Sequence, residues 1–268
     1  MTRSGGSPAV SVLMGSYNAG GWLDAAVRSV LDQTFGDLEL IVIDDGSTDG
    51  SGSRLRAIAD PRLRVERQAR AGLTRALIRA AGLARAPLLA RLDADDLAAP
   101  DRLERQVAHL RAHPEIGLLG TAAREVAADG GERGLVRPPE DDGALRWALI
   151  RRNPFVHSSI VMRRELVERV GGYDATFPVA QDYDLWLRLS ELTRLANLPD
   201  VLVARRLIPE RVSAQRDSER LRAEARARWR AIRRGGYPPW CAVFVVRPVL
   251  ALAAPRGIRR WLRAARGS

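Results

Sequence analysis

The chain has 268 residues, of which 46% are apolar and 28% are charged, and its formal net charge is +11. This is the composition of a soluble globular protein, and the length allows one large α/β domain or two small ones. The single cysteine, Cys241, excludes an intrachain disulfide framework, and three scattered histidines lack the spacing of a zinc site. The N-terminal residues contain no apolar run typical of a secretory signal, so we expect a cytosolic location.

Strand and helix patterns alternate over the first 113 residues. Short apolar runs predict strands at 9–15, 38–45, 62–68 and 87–96, the third of them an edge strand. Apolar positions at helical spacing predict helices at 22–33, 72–84 and 100–113. Strands separated by helices of this length predict an α/β fold, with a mostly parallel sheet covered by helices on both faces.

The second half mixes the two kinds of element. Its patterns predict a strand running to a Gly-Gly turn (116–131), a strand with a short helix (155–174), an amphipathic helix (180–192) and a last strand (198–207). Leu185, Leu189 and Leu192 are predicted to face inward from that helix. No internal repeat or low-complexity linker is present, so we expect one continuous domain to about residue 215.

The positive charge is concentrated at the C-terminal end. All 43 basic residues are arginine, which excludes chemistry that needs a lysine amine, such as a Schiff base or a Walker-type phosphate lysine. Residues 216–268 contain 14 arginines and three acidic residues, whereas residues 1–215 are formally neutral. The extension at 216–268 is therefore basic and the body is not.

Part of this extension is apolar. Residues 240–254 are interrupted by Arg247 and Pro248 and are too short for the roughly 20-residue span that a bilayer needs. An apolar segment flanked by arginine and tryptophan predicts peripheral association with an anionic membrane surface. Two alternatives are packing of a C-terminal helix pair against the core, and nucleic-acid binding, for which the body shows no aromatic-basic pattern.

Three polar clusters directly follow three predicted strands. They are Ser16, Tyr17 and Asn18, then Asp44 and Asp45, then Asp93, Asp95 and Asp96. Ligands of parallel α/β sheets sit outside the carboxyl ends of the strands, so we expect these clusters to share one edge. Clustered carboxylates repel one another unless a cation is present, and their hard oxygens suit Mg²⁺ or Mn²⁺. Each cluster alone also fits an ordinary turn or a solvated helix N-terminus.

In chain order, these motifs resemble those of the family-two glycosyltransferases, a large inverting family with the GT-A fold. The resemblance covers residues 9 to about 190 and is carried by SVLMGSYNAGGWLDAAVRSVLDQTF, ELIVIDDGSTDGS, GLTRALIRAAGLARAPLLARLDADDLAAPDRLERQV and NPFVHSSIVMRRELVERVGGYDATFPVAQDYDLWLRL. It implies a GT-A domain at 1–215, with a nucleotide-sugar half at about 8–110 and an acceptor half at about 111–215. The donor would be a nucleotide-diphosphate sugar.

The resemblance also implies roles for single residues. The donor-binding positions are Ser16, Tyr17, Asn18, Asp44, Asp45 and Asp93. Asp93 and Asp95 form the D-x-D motif for a divalent metal, Mn or Mg, with Asp95 favoured as the direct ligand. Asp182 stands where the family has its catalytic base, which takes the proton of the acceptor hydroxyl. His157 and Trp186 are candidate contacts to acceptor or phosphate, with packing in the core as the alternative for each.

Three positions depart from the family pattern. Gln181 replaces a usual Glu before the base, Arg79 replaces a usual Asn, and Ile208 stands where a His is common. Arg79 is either a new diphosphate contact or a surface change. The changes at Gln181 and Ile208 keep open a degenerate nucleotide-sugar-binding protein without turnover.

The favoured interpretation is an inverting glycosyltransferase that uses metal assistance and an Asp base in a single displacement. Its acceptor would be a hydroxyl of a glycan or a lipid-linked molecule, in the synthesis of a cell-surface or secreted glycan on the inner face of the cell membrane. A sugar-nucleotidyltransferase is a further alternative, against which the absence of a Gly-rich phosphate loop and of lysine argues.

Overall fold

The computed structural model describes residues 6–207 and 217–246. Some sequence-based expectations concern positions outside the described residues, namely Ile208 and residues 247–268.

Strands and helices alternate through the first half. The strands are β1 (Val10–Ser16), β2 (Leu38–Asp44), β3 (Leu63–Arg67), β4 (Leu88–Arg91) and the two-residue β5 (Leu97–Ala98). The helices are α1 (Trp22–Leu31), α2 (Ser51–Arg56), α3 (Leu73–Leu83) and α4 (Arg102–Ala112). In this half α2, which follows the DGSTDG turn, and the short β5 have no counterpart in the elements predicted from the sequence, and the same is true of Glu132–Val136 and Asp142–Arg151 in the second half.

The second half is mixed, as its patterns indicate. Its strands are β6 (Ile116–Ala127), β7 (Glu132–Val136), β8 (Val161–Arg163) and β9 (Arg194–Leu207). Its helices are α5 (Asp142–Arg151), α6 (Arg164–Arg169), α7 (Gln181–Leu189) and α8 (Asp217–Arg233), with 3-10 turns at His157–Ser159 and Pro239–Ala242.

Within the described residues, nine strands form one sheet in the order β3-β2-β1-β4-β8-β6-β9-β5, with β7 paired to β6. β1 runs parallel to β2 and β4, and β2 runs parallel to the edge strand β3. β8 then runs antiparallel between β4 and β6, so the parallel order breaks at this point. Because β1, β2 and β4 are parallel, the three polar clusters meet at one edge, as expected.

Helices cover both faces of the sheet. One core cluster packs α1 and α4 against β1 and β2, and the other packs α3 and α7 on the opposite face. Every residue of β2 is buried between them, which accounts for its continuous apolar run. Leu185 and Leu189 face inward, but the expectation for Leu192 is wrong: α7 ends at Leu189 and Leu192 is 42% exposed.

Helix α8 packs against α7. Its small residues Ala223, Ala227 and Ala231 join the core cluster of that face. Arg228 is also buried and donates hydrogen bonds to the Tyr183 hydroxyl and the Arg151 carbonyl. The described part of the C-terminal extension is thus joined to α7 and α5, in the second half of the fold, by apolar packing and buried hydrogen bonds. Among the helices of the described residues, none has the length and apolar character needed to span a bilayer.

Candidate active site

The acidic cluster lies in the loop between β4 and β5. Carboxylate oxygens of Asp93, Asp95 and Asp96 lie within 4.8 Å of one another. Asp96 is buried, and its two oxygens accept hydrogen bonds from the Arg206 backbone N–H (2.9 Å) and the Ser158 hydroxyl (2.6 Å). Asp96 therefore ties this loop to β9 and to the 3-10 turn.

Two buried arginines lie beneath the cluster. Arg91, the last residue of β4, has no exposed surface; it donates to the Leu13 carbonyl (3.1 Å) and pairs with the Asp93 carboxylate. Arg102 donates to the Arg91 carbonyl (2.9 Å), and burial, together with repulsion from Arg91, lowers its pKa to about 9. Arg91 thus supplies Asp93 with a positive neighbour inside the protein.

The cluster has the chemistry of a divalent-metal site. Three carboxylates offer hard oxygen atoms, which Mg²⁺ and Mn²⁺ prefer. Asp96 is buried and holds Arg206 and Ser158, whereas Asp93 and Asp95 are partly exposed, so Asp95 and Asp93 are the residues that would hold the ion. The residues present therefore fit the metal that the D-x-D motif implies.

The loops after β1 and β2 are hydrogen-bonded to each other. The Asn18 backbone N–H donates to the Ser47 hydroxyl (3.1 Å), and the Asn18 side-chain oxygen accepts from the Thr48 N–H (2.9 Å). Asn18 has a positive φ of 47°, which this pair of bonds helps to hold. Tyr17 is exposed beneath the Arg70 guanidinium, 4.0 Å from its ring centre. Ser16 is buried, and its hydroxyl has no hydrogen-bond partner within residues 6–207 and 217–246.

Asp45 holds the loop that precedes α3. One of its oxygens accepts from the Gln68 side chain (2.7 Å) and the Ala71 N–H (2.8 Å), and the other from the Gly72 N–H (2.7 Å). Gly72 has a φ of +91°, which favours glycine at this turn. Asp45 is buried by these contacts, so its direct effect is to shape the loop that precedes α3.

Asp44, the last residue of β2, is equally buried. It accepts a hydrogen bond from the Ser47 N–H (2.9 Å). A Cβ added to Gly52 would lie 2.1 Å from an Asp44 oxygen, so α2 can approach the carboxylate only with glycine at this position. Asp44 and Asp45 stand at the predicted edge, where both oxygens of Asp45 and one of Asp44 accept hydrogen bonds within the loops. The other Asp44 oxygen lies 4.0 Å from the Arg56 guanidinium and 3.9 Å from that of Arg67.

Asp182 lies in the first turn of α7 and is only partly buried. One of its oxygens accepts a hydrogen bond from the Asn153 side-chain amide (2.8 Å). Ala180, which precedes the helix, has a φ of 56°, a strained value for a residue with a Cβ. The nearby Asp184 has a different role, because it is buried in an ion pair with Arg188 at 2.7 Å.

The segment 153–159 connects the base position to the acidic cluster. Asn153 at its start holds Asp182, and Ser158 near its end accepts from the Asp93 N–H (3.1 Å) and donates to Asp96. Between them, His157 hydrogen-bonds the Tyr173 hydroxyl at 3.1 Å. Burial and the Arg91 charge lower the pKa of His157 to about 4, against the opposing charges of Asp182 and Asp93. His157 is therefore a neutral ring between the two carboxylates at neutral pH.

Two residues that the sequence offered as ligand contacts, Trp186 and Arg79, have their side chains engaged in other contacts. Trp186 is completely buried beside Phe155 and His157, so it cannot stack on a sugar in this conformation, and the core alternative is correct for it. Arg79 donates to the Glu66 carboxylate (3.0 Å) and the Arg67 carbonyl (2.9 Å) on the edge strand. Its guanidinium is thus engaged in a surface contact on β3.

Four residues of this site, Arg91, Asn153, Ser158 and Tyr173, were not singled out by the sequence reasoning. All four lie within the sequence segments that carry the family resemblance, and that position is the sequence signal that could have identified them. Their roles depend on partners up to 78 positions away along the chain, which no local pattern specifies.

The family model described as Glycosyl transferase family 2 matches residues 11–171. The chain belongs to this family. The resemblance drawn from the motifs is thereby confirmed, and the chain is a glycosyltransferase.

Among its relatives, the amylovoran biosynthesis glycosyltransferase AmsE of Erwinia amylovora is 33% identical over 211 residues, which are 75% of this chain and 77% of AmsE. The putative glycosyltransferase EpsE of Bacillus subtilis is 32% identical over 197 residues, 69% of this chain and 67% of EpsE. An uncharacterized glycosyltransferase of Haemophilus influenzae is 31% identical over 215 residues, 75% of this chain and 66% of that protein.

Solved structures confirm the fold. The mannosyltransferase PcManGT of Pyrobaculum calidifontis, in complex with GDP-Man and Mn2+, has a TM-score of 0.66 at 21% identity, over 98% of this chain and 81% of that one. S. aureus TarS 1-349, in complex with UDP, has a TM-score of 0.64 at 18% identity, over 81% of this chain and 64% of that one. The predicted GT-A architecture is correct.

Proposed function

We propose that this glycosyltransferase transfers a sugar from a nucleotide-diphosphate donor to a hydroxyl acceptor with inversion, using a divalent metal and Asp182 as base. The observation that carries the proposal is the segment 153–159, which contacts Asp182 at one end and the acidic cluster at the other. A base on one side of the sugar and a leaving-group site on the other are what a single displacement needs.

Asp182 has an oxygen available for the acceptor. Asn153 occupies one oxygen, and within the described residues no hydrogen bond reaches the other. A carboxylate held in this way can take the proton of an attacking hydroxyl within hydrogen-bond distance. The Asn153 bond fixes the rotation of the carboxylate, so the second oxygen keeps its orientation.

Asp95 and Asp93 would hold the metal, which supplies positive charge that neutralises the departing nucleoside diphosphate. Arg91 orients the Asp93 carboxylate by pairing with it from inside the protein. Asp96 anchors the loop through Ser158 and Arg206, so the other two carboxylates lie on a supported backbone.

The donor would lie across the ends of β1 and β2. The buried Ser16 hydroxyl, which has no partner in the described part of the chain, supports a polar ligand there. Asn18 and Asp45 would act by shaping the two loops, and the exposed Tyr17 ring offers a flat surface to a base. The solved neighbours with UDP, UDP-GlcNAc or GDP-Man support a nucleotide sugar as donor.

The acceptor would be a growing or lipid-linked glycan. Relatives include AmsE, which is named for amylovoran biosynthesis, and the hyaluronan synthase of Pasteurella multocida, which is 26% identical over 213 residues. These names support a role in the synthesis of a cell-surface or secreted polysaccharide. We place this reaction in the cytoplasm at the inner face of the membrane, with residues 216–268 as the basic contact to anionic lipid.

A thermal-shift experiment tests the donor and metal parts of the proposal. The purified chain is melted with UDP, GDP, dTDP and CMP, each with and without Mn²⁺, because a ligand that binds only the folded state raises the midpoint. We expect a shift with one diphosphate that needs the metal and is lost in Asp95→Asn. Asp184→Asn is the control, since Asp184 is an acidic residue paired with Arg188 outside the cluster. No shift with any nucleotide would overturn the proposed nucleotide-diphosphate donor.

A further inference from the structure

An exposed aromatic patch lies beside the acceptor half. It consists of Trp147 on α5 and Trp240, Val243, Phe244 and Val246 near the end of the described chain. Trp147 is 47% exposed, Trp240 60%, Val243 58% and Val246 50%. The rings of Trp147, Trp240 and Phe244 contact one another, with centroids 5.8 to 6.4 Å apart. Large apolar side chains grouped on a surface in this way mark an interaction site.

The patch is surrounded by positive charge. The Arg151 guanidinium lies 5.3 Å from the centre of the Trp147 ring and 5.9 Å from that of Phe244, and the neighbouring Arg152 is exposed. The chain continues from Val246 into residues 247–268, which contain six arginines and no acidic residue. Arg151 and Arg152 therefore place positive charge beside the rings of the patch.

We propose that the aromatic patch seats on an anionic lipid bilayer. Tryptophan prefers the interface between headgroups and acyl chains because its ring is apolar and its N–H is polar. Arginines at the rim would pair with lipid phosphates, each adding to the attraction of the negative surface. A second copy of this chain fits less well, because it would bring the same arginines face to face.

The patch is connected to Asp182 by a few bonds. Helix α5 carries Trp147 and ends at Arg151, and two residues later Asn153 donates to Asp182. Arg228 donates to both the Arg151 carbonyl (3.0 Å) and the hydroxyl of Tyr183, the residue after Asp182 (2.8 Å). Binding of the patch to lipid would therefore orient the molecule so that Asp182 faces the bilayer.

This orientation names the acceptor class: a sugar or hydroxyl carried on a lipid anchor. The inference rests on the proposed function, because it assumes that Asp182 faces the acceptor. The inference also goes further than lipid binding by the basic extension at 216–268, because Trp147 and Arg151 belong to the body of the fold.

Vesicle flotation of the full chain tests the inference. Wild type and Trp147→Ser/Trp240→Ser are compared on neutral phosphatidylcholine vesicles and on vesicles with one quarter phosphatidylglycerol. We expect wild type to float with the anionic vesicles, and the double variant to lose at least tenfold in partition coefficient. Trp229→Ser is the matched control, because Trp229 on α8 is 48% exposed and forms none of the ring contacts of the patch within the described residues.

A charge variant provides the second arm. Arg151→Glu/Arg152→Glu leaves both tryptophans in place, and we expect it to weaken flotation with anionic vesicles and not with neutral ones. Flotation of the double tryptophan variant at the wild-type level would overturn the proposal and make residues 247–268 the membrane contact. A wild-type dimer that the tryptophan variant dissociates in sedimentation would overturn it in favour of a second copy.

The nucleotide thermal shift keeps the two proposals apart. The patch variants should retain the metal-dependent shift, since the donor loops lie on other elements. In the wild type, a nucleotide shift without flotation would contradict the membrane inference alone. Flotation without any nucleotide shift would contradict the proposed function and leave the membrane contact standing.

Discussion

The two halves of the sheet hold their carboxylates in different ways. In the first half, Asp44 and Asp45 are buried and accept hydrogen bonds from backbone N–H groups of the neighbouring loops. In the second half, Asp182 is half-buried and is held by one side chain, Asn153. Backbone groups are fixed by the fold, whereas a single side-chain contact leaves the carboxylate an oxygen for another partner. The proposed donor side is therefore built in advance, and the proposed base depends on one positioning residue.

The largest effect is expected at Asp182. Asp182→Asn keeps the shape of the side chain but removes the proton acceptor, so kcat should fall by roughly 10²- to 10⁴-fold. The nucleotide-induced thermal shift should stay at the wild-type value, because the donor loops are untouched. Steady-state transfer assays measure the loss. Transfer by this variant at the wild-type rate would exclude Asp182 as the base.

In the donor half, Asp45→Ala should act mainly on stability. The change leaves the N–H groups of Ala71 and Gly72 and the Gln68 amide without their acceptor, at a cost of about 2–4 kcal/mol in the free energy of unfolding. Urea denaturation measures this. Asp37→Ala is the control, because Asp37 is exposed and its loss should change stability by less than about 0.5 kcal/mol. Equal stabilities for the two variants would contradict the contrast between buried and exposed carboxylates.

Asn153 should have a smaller effect, confined to the chemical step. Asn153→Ala removes the bond that orients Asp182, so we expect kcat to fall about tenfold, or about 1.4 kcal/mol, with an unchanged KM for the donor. Asn153→Asp should place a like charge beside Asp182, raise the pKa of the base and move the acidic limb of the pH–rate profile upward. A purely structural role for Asn153 would leave that limb in place.

Arg79 should matter least. Its contacts with Glu66 and the Arg67 carbonyl are surface contacts, so Arg79→Ala should cost less than about 1 kcal/mol of stability. Nucleotide affinity, measured by titration calorimetry, should not change. A tenfold weaker affinity would instead assign Arg79 to the donor diphosphate.

Much of the fold and part of the site could be predicted from local patterns. The continuous apolar run LELIVID marks a strand buried on both faces, and it is β2. The D-x-D, the Asp45-Gly46 turn and Asp182 were recognised because short motifs keep their chemistry and order along the chain. Parallel strand order then brought the three clusters to one edge. The end of α7 was missed by a few residues, because helix boundaries depend on packing beyond the helix itself.

Contacts between residues far apart in the chain could be identified only from the tertiary structure. Asn153 meets Asp182 across 29 positions, and Ser158 meets Asp96 across 62, so no local period encodes either pair. The burial of Arg91 was equally hidden, since an arginine at the end of an apolar strand usually reaches solvent.

The tryptophans show the division between sequence and structure. Both Trp147 and Trp186 lie on helices that also contain leucine, and the sequence by itself predicted only the second of these helices, with an apolar face directed inward. Only the tertiary structure decided that Trp186 is enclosed and Trp147 is exposed. The reason is physical: whether a ring is covered depends on which other elements reach it, and those elements come from remote parts of the chain.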